Sequence, residues 1–363
     1  MRILVAPDKF KGSLGAEDVG AHIAAGLRAA RPRAEIKIQP IADGGEGTAE
    51  VIRRAGQGEW LGCSAHDSLG REISTRYAWL SGSQTAVMEM SAAAGLAQIS
   101  PNERDPLRAS TFGVGEMLRA AAGGARHIIL GLGGSATNDG GCGLARALGF
   151  RFFDDGDREI IWASELENLA RIAWPNEVAL PPITGATDVR NPLLGSHGAS
   201  RIFGPQKGAS LEAIEILERG LTRLADVIAT SARDLREIPG AGAAGGLGFG
   251  LLAFCDAEIR SGFEVVAEAI DLRRQIAKAD YVITGEGSLD RQTLEGKGPA
   301  GIARLARALG KPVFAIAGRF DGDEEVRALF DGIVVLDDAP PFFARTAALL
   351  EARARELASS FHA

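Results

Sequence analysis

The sequence predicts an α/β protein in two parts: a Rossmann-like domain whose open parallel sheet is built from both chain ends, and a second α/β domain inserted between them. Three observations predict it. The chain opens with a compact apolar strand over residues 3–6, a helix over 16–30 and a strand over 35–39 that stops at Pro40, a βαβ unit that implies parallel pairing. The tail repeats the alternation, with strands over 281–284, 312–317 and 333–336 separated by helices over 301–309 and 324–330. Those strands are unbroken apolar runs, as strands covered on both faces are. Between the ends, residues 64–90 read as alternating, turn-punctuated segments, with 73–77 and 86–90 suited to antiparallel pairing.

The remaining elements follow from caps and periodicity. A helix is expected over 111–122 with Ser110 or Thr111 as N-cap, and a buried strand over 127–132 runs into Gly133 and Gly134. Ile214, Leu217, Leu221, Leu224 and Ile228 share one face of a long amphipathic helix over 211–236. A C-terminal helix carrying Leu349, Leu350, Leu357 and Phe361 is expected to dock on its own domain. Residues 238–255 are uncharged over the length of a membrane span, but six are glycine and one is proline, so a folded loop and turn is expected there. The expected domains are 1–60 with 275–363, and 61–274.

Composition narrows the function. The chain has 363 residues, 46 % of them apolar and 24 % charged, enough to bury a sizeable core and too apolar for wholesale disorder. Its 40 Lys plus Arg against 47 Asp plus Glu give a net charge of −7 with no dense basic run, which argues against nucleic acid or an anionic membrane as partner. Cys63, Cys142 and Cys255 are odd in number and lack C-x-x-C spacing, fitting reduced thiols. With no apolar signal stretch before Lys9, a cytoplasmic location is expected. The 47 glycines are nearly twice the ordinary usage of about 7 %, and they cluster beside short apolar runs.

Five clusters carry the chemistry. The first, Ala6-Pro-Asp-Lys-Phe-Lys-Gly-Ser13, follows the first strand, at the sheet edge where open α/β proteins bind ligands. Lys9 and Lys11, with Asp8, Ser13 and backbone donors at a helix start, suit an anion. After the second strand come Asp43-Gly-Gly-Glu46 and Gly47, where Gly44 and Gly45 allow close approach and Asp43 or Glu46 could hold Mg²⁺ or accept a proton. Residues 130–144 form strand, glycine loop and helix, a phosphate cradle built from Gly133, Gly134, Ser135, Thr137 and Asn138, with Asn138 and Asp139 as metal or hydroxyl ligands. It lacks the Lys-Ser/Thr of a Walker A loop. Asp188, Asn191, Gln206 and Lys207 sit in polar stretches without secondary-structure logic, although Asn191 equally fits a turn cap before Pro192. The last cluster follows the strand over 281–284: Gly285, Glu286, Gly287, Asp290 and Lys297 pair carboxylates with a cation, as phosphoryl transfer requires.

Other chemistries fit poorly. Gly240-Ala-Gly-Ala-Ala-Gly245 matches the dinucleotide fingerprint G-x-G-x-x-G but follows Ile238-Pro239 and not a strand. The five histidines show no H-E-x-x-H or H-x-H spacing for a hydrolytic zinc site, and no Gly-x-Ser-x-Gly elbow occurs.

Taken together, residues 6–13, 42–48, 131–143, 188–193, 203–209, 240–248 and 284–299 resemble the bacterial glycerate kinase family of the glucarate and glyoxylate pathways, in collinear order from residue 2 to about 320. The resemblance implies ATP-dependent, Mg²⁺-assisted phosphorylation of D-glycerate, most often to 2-phosphoglycerate, in a two-domain enzyme with its active site in the interdomain cleft, monomeric or homodimeric. On that reading Asp43 or Asp188 is the base, and Lys9 and Lys11 hold the substrate carboxylate or the moving phosphoryl group. The loop 133–138 with Gly285, Gly287 and Lys297 binds nucleotide, and Asp139, Glu286 and Asp290 are metal ligands. Three departures from the family pattern stand out: Ser288 where arginine is usual, Gly298 where threonine is usual before Pro299, and a segment 337–345 without a Pro-Gly-Pro loop. Alternatives are a glycerate 3-kinase, a nucleotide-binding regulator without chemistry, and an NAD-dependent hydroxy-acid dehydrogenase.

Overall fold

A computed structural model describes residues 1–230, 234–295, 298–336 and 345–361. In chain order the elements begin β1 (Arg2–Val5), α1 (Ala16–Ala30), β2 (Glu35–Ile38), α2 (Thr48–Ala55), β3 (Glu59–His66), β4 (Glu72–Leu80), β5 (Thr85–Glu89), α3 (Ser91–Ala94), α4 (Phe112–Ala122) and β6 (His127–Gly131). They continue α5 (Cys142–Ala147), β7 (Arg151–Phe153), β8 (Arg171–Ala173), β9 (Ile183–Ala186), α6 (Ala199–Phe203), α7 (Leu211–Ala229), α8 (Ala243–Cys255), β10 (Glu258–Arg260), α9 (Gly262–Ala269) and α10 (Leu272–Lys278). The tail is β11 (Tyr281–Leu289), α11 (Gly298–Ala308), β12 (Val313–Phe320), α12 (Glu324–Arg327), β13 (Gly332–Val335) and α13 (Thr346–Ser359). The chain divides into two compact units, residues 1–43 with 263–363, and residues 44–262. These limits fall earlier than the 60 and 275 expected, because Gly44 already packs with the second unit: the Gly133 amide donates to its carbonyl at 3.3 Å.

The unit built from both chain ends holds a five-stranded sheet in the order β13-β12-β11-β1-β2, parallel throughout. Ile3 and Val5 pack with Ile23 and Leu27 of α1, Ile283 and Ile316 of the sheet, and Leu350 and Leu357 of α13. The C-terminal helix thus docks on its own unit. Gly26 of α1 makes this possible, since a Cβ there would lie 2.1 Å from the Glu351 carbonyl. β11 runs five residues past its expected end at 284. Gly285 and Glu286 pair with Ile316 and Ala317, and a Cβ on Gly285 would meet the Ile316 carbonyl at 2.4 Å. The expected loop here is strand, and its first glycine answers to the neighbouring β12.

The contiguous unit holds a six-stranded mixed sheet ordered β10-β9-β6-β5-β4-β3. β5, β6, β9 and β10 are parallel, while β3, β4 and β5 form an antiparallel meander. α7 ends at Ala229, short of the expected 236, and α4 begins at Phe112 as expected.

The uncharged stretch 238–255 is part turn and part helix. α8 is broken by left-handed backbone at Ala244, Gly245 and Gly246, and its regular helix covers residues 247–255. Its glycines lie against another glycine-rich segment: a Cβ on Gly250 would come within 2.7 Å of Gly141 Cα, and one on Gly245 within 2.0 Å of the Thr137 carbonyl. The literal fingerprint at 240–245 therefore serves backbone-on-backbone packing. Among the described residues no helix is long and apolar enough to cross a membrane.

Candidate active site

Strand order places the ligand edge of the first unit. β1 leads to β2 on one side, while β11, β12 and β13 extend to the other, so the order reverses between β1 and β11. Ligands of open α/β sheets bind outside the carboxyl ends of strands at such a reversal. The loop after β1 lies there: the Asp8 amide donates to the Gly285 carbonyl at 2.8 Å, and the Thr284 hydroxyl to the Ala6 carbonyl at 2.8 Å. Gly287 faces the backbone of Phe10 and Lys11, with a Cβ position 3.6 Å from the Lys11 nitrogen. Lys9 is half-buried and Lys11 exposed. The Asp8 carboxylate accepts from the Lys9 amide at 2.6 Å, and its other oxygen lies 3.6 Å from the Cβ position of Gly298, where α11 begins. A side chain at 298 would also meet Ile41 at 2.3 Å, so glycine brings this helix end close to Asp8. The Ser13 hydroxyl donates to Thr346 Oγ1 at 3.1 Å, tying the loop to α13.

Farther along β11, Glu286 is 9 % exposed, and its Oε1 accepts from the Thr293 hydroxyl at 2.9 Å. That hydroxyl also accepts from the Asp290 amide at 3.1 Å, so one buried threonine links the two acids. The Ser288 hydroxyl donates to Asp290 at 3.4 Å. Lys297 lies outside the described residues, as do 337–344.

In the second unit the parallel strands again deliver the expected residues to one edge. β5 ends at Glu89, β6 runs into Leu132–Gly134, and β9 runs into Thr187 and Asp188. The Leu132 amide donates to the Ala186 carbonyl at 3.1 Å, the Thr187 amide to the Arg260 carbonyl at 3.0 Å, and the Ser261 hydroxyl to Asp188 Oδ1 at 2.9 Å. The turn at Gly44–Gly47 lies on the same edge. Gly44 has φ +88° and would carry a Cβ 2.5 Å from the Ala186 carbonyl; a Cβ on Gly133 would come 2.4 Å from Gly45 Cα. These glycines let three backbone segments meet where side chains could not fit. Glu46 Oε1 lies 3.0 Å from the Cβ position of Gly134, so this loop presents an acid beside its amides and is not a bare anion cradle.

The deeper half of the same loop differs from expectation. Thr137 and Asn138 are fully buried and Asp139 is 3 % exposed. The Asn138 amide donates to the Ser200 hydroxyl at 2.9 Å. Asp139 Oδ2 accepts from the Thr111 amide and hydroxyl, both at 2.8 Å, and from the Gly143 amide at 3.1 Å; Oδ1 accepts from the Gly141 amide at 3.1 Å. Four protein donors fill its lone pairs, which does not fit a metal ligand. Burial pushes its carboxyl above the usual range, against the pull of those hydrogen bonds.

Lys207 is corrected in the same way. Expected at the substrate, it is 1 % exposed, and its Nζ donates to the Thr137 carbonyl at 2.7 Å. Burial pushes its amine down to about 7, partly opposed by Asp139. Asn191 donates to the His197 carbonyl at 2.7 Å within its own loop, the turn-forming role, and the Gln206 carbonyl accepts from Arg104 at 3.3 Å while its side chain is exposed.

Among the described residues no three His, Cys, Asp or Glu side chains gather as a metal cage. Mg²⁺ commonly takes only one or two protein carboxylates, the rest of its shell being water and phosphate. Glu286 and Asp290 fit that pattern as hard oxygen donors on one strand end. Sequence reasoning missed Glu89 and Ser261 and read Thr111 only as a helix cap. Glu89 lies one residue before the end of the strand expected over 86–90; the partners of Thr111 and Ser261 are far away in sequence.

Comparison with known proteins gives consistent matches. A model described as the glycerate kinase family matches residues 3–362. The chain is 38 % identical to a glycerate kinase of Bacillus subtilis (strain 168) over 375 residues, covering 99 % of this chain and 97 % of that one. It is 43 % identical to a glycerate 2-kinase of Escherichia coli (strain K12) over 332 residues, 89 % and 86 % of the two chains. A crystal structure of a Salmonella typhimurium LT2 protein assigned as glycerate kinase 2 superposes with a TM-score of 0.85 at 40 % identity, covering 99 % of this chain and 97 % of that one.

Proposed function

This chain belongs to the glycerate kinase family and is a kinase, and from that premise we propose that it moves the terminal phosphoryl group of ATP to the 2-hydroxyl of D-glycerate, giving 2-phosphoglycerate. The observation that carries the reading is the gathering of acids and glycine turns at the carboxyl edge of the parallel strands in each unit, with Lys9 and Lys11 on the loop after β1 in the first. The 2-position rests on the name of the Escherichia coli relative.

The chemistry assigns roles to this chain's residues. Phosphoryl transfer needs positioning and charge neutralisation more than covalent help. Lys9 and Lys11, on the loop after β1, supply cationic groups for the glycerate carboxylate or the moving phosphoryl group. Asp188, oriented by the Ser261 hydroxyl at 2.9 Å, or Asp43, next to the Gly44 turn, accepts the proton of the attacking hydroxyl. Gly133, Gly134, Ser135 and Gly287 offer backbone to the nucleotide phosphates. Mg²⁺ would be held by Glu286 and Asp290 together with those phosphates, and when bound it neutralises phosphate charge. We place the enzyme in the cytoplasm, a reading its three free thiols support.

Incubation with ATP, Mg²⁺ and D-glycerate, followed by phosphorus NMR, tests the proposal. A 2-phosphoglycerate resonance matched by ADP release is expected. A 3-phosphoglycerate resonance would overturn the regiochemistry, and nucleotide binding without ADP release would point to a regulator.

A further inference from the structure

The reaction assigned above rests on a turn whose shape is set by a side chain outside it. Glu89, the last residue of β5, reaches the start of α2, where its Oε1 accepts from the Gly47 amide at 3.0 Å and the Ala49 amide at 2.9 Å. α2 has no cap from its own N-terminal residue, because that residue is Gly47 in the left-handed region at φ +99°. A carboxylate from a neighbouring strand satisfies helix-end donors that would otherwise lack partners, and it does so where the helix dipole favours negative charge.

The same turn is fastened on its other side. The Gly133 amide donates to the Gly44 carbonyl at 3.3 Å, and the Thr48 hydroxyl donates to the Gly45 carbonyl at 2.7 Å. Residues 44–49 are therefore held between the end of β5 and the loop after β6. Glu89 Cγ lies 3.7 Å from the Cβ position of Gly131, so the acid stands beside the strand that feeds that loop. Two left-handed glycines, Gly44 and Gly47, give the turn several ways to relax if one fastening is lost. Asp43 precedes this turn and Glu46 lies within it.

We propose that Glu89 is a positioning residue for phosphoryl transfer: it clamps the turn that carries Glu46 and follows Asp43, and so fixes the acceptor side of the reaction. The inference rests on the kinase reading, but the clamp itself can be measured without turnover. A single oxygen accepts both bonds, so glutamine, whose side-chain carbonyl also accepts, preserves the clamp and alanine removes it.

The experiment compares wild type, Glu89→Gln and Glu89→Ala by steady-state kinetics in both substrates, thermal unfolding, and hydrogen exchange at the Gly47 and Ala49 amides. Expected for Glu89→Ala are a fall in kcat/KM for glycerate of about 10- to 100-fold, the usual cost of losing an outer-shell orienting group, a KM for ATP within about threefold of wild type, and faster exchange at both amides. Glu89→Gln is expected to recover most of the turnover and the protection. Unchanged exchange in Glu89→Ala, or loss of activity only in proportion to unfolded protein, overturns the clamp. Wild-type protein that turned over no glycerate would sink the kinase reading alone, and the exchange measurement would still decide whether Glu89 holds the turn.

Discussion

The Thr111 hydroxyl donates to Asp139 Oδ2 at 2.8 Å and in turn accepts from the Leu144 amide at 2.9 Å, so one buried threonine links the start of α4 to the start of α5. Thr111 is the residue before α4, yet its hydroxyl does not cap that helix; the Phe112 amide takes the Ser110 hydroxyl instead, at 3.2 Å. Thr111→Val keeps the shape, removes one of three donors to Asp139 Oδ2 and strands the buried Leu144 amide. One unsatisfied buried group costs about 1–3 kcal/mol, so urea denaturation should show a loss in that range. A loss below about 0.5 kcal/mol, the range of neutral surface changes, would refute the linking role.

Lys207 predicts a pH dependence of stability. Its amine is held at about 7 in the folded protein against 10.5 ordinarily, chiefly by burial. Between those values the unfolded chain keeps a proton that the folded chain has released, so stability rises with pH across that window and this contribution is flat below it. Lys207→Met removes the titrating group. The gain in melting temperature from pH 6.5 to pH 9.5 should therefore be larger in wild type than in the variant; parallel profiles would show that the burial does not act as argued.

Asp188 and Asp43 compete for the role of base. Loss of a general base commonly costs roughly 10²-fold or more, so Asp188→Asn or Asp43→Asn should show that fall in kcat with ATP and glycerate. Near-normal turnover in both variants would remove the assignment. If Asp188 is the base, Ser261→Ala should lower kcat as well, because the serine hydroxyl that orients the carboxylate is lost.

Glycine substitution separates packing glycines from idle ones. Gly133→Ala would place a methyl group 2.4 Å from Gly45 Cα, a backbone atom that cannot rotate away. Overpacking of that kind costs about 1–3 kcal/mol, and the displaced turn should lose glycerate turnover as well. Gly82→Ala meets nothing within 4 Å and serves as the control, expected within about 0.5 kcal/mol of wild type.

Much of the architecture was legible in the residues. α1 spans Ala16–Ala30, the range its sequence pattern predicts, and β6 and β9 end in clusters already singled out for their chemistry. Less legible was why particular glycines are glycine. Gly285 and Gly250 read as loop material, yet one sits in a strand against Ile316 and the other in a helix against Gly141. A close backbone approach belongs to the pair, and the partner lies more than thirty or a hundred positions away. Lys207 failed for the opposite reason: a lysine in a polar stretch signals solvent or ligand, and only the fold reveals that it ends buried on a carbonyl. Glu89 was overlooked because a lone acid at the end of a strand has no motif around it.

The pairing of β1 with β11 has a consequence for how the chain is made. Thr284 donates to Ala6, 278 positions earlier, and Ile3 registers with Tyr281. During synthesis the first βα unit emerges with one neighbour, β2, and must wait through the whole contiguous unit before its other neighbour exists. Such non-local closure is slow and leaves apolar strand edges exposed in the interval, whereas residues 44–262 can condense as soon as they leave the ribosome. Until β11 is made, the Ile3–Val5 strand has a neighbour on its β2 side alone.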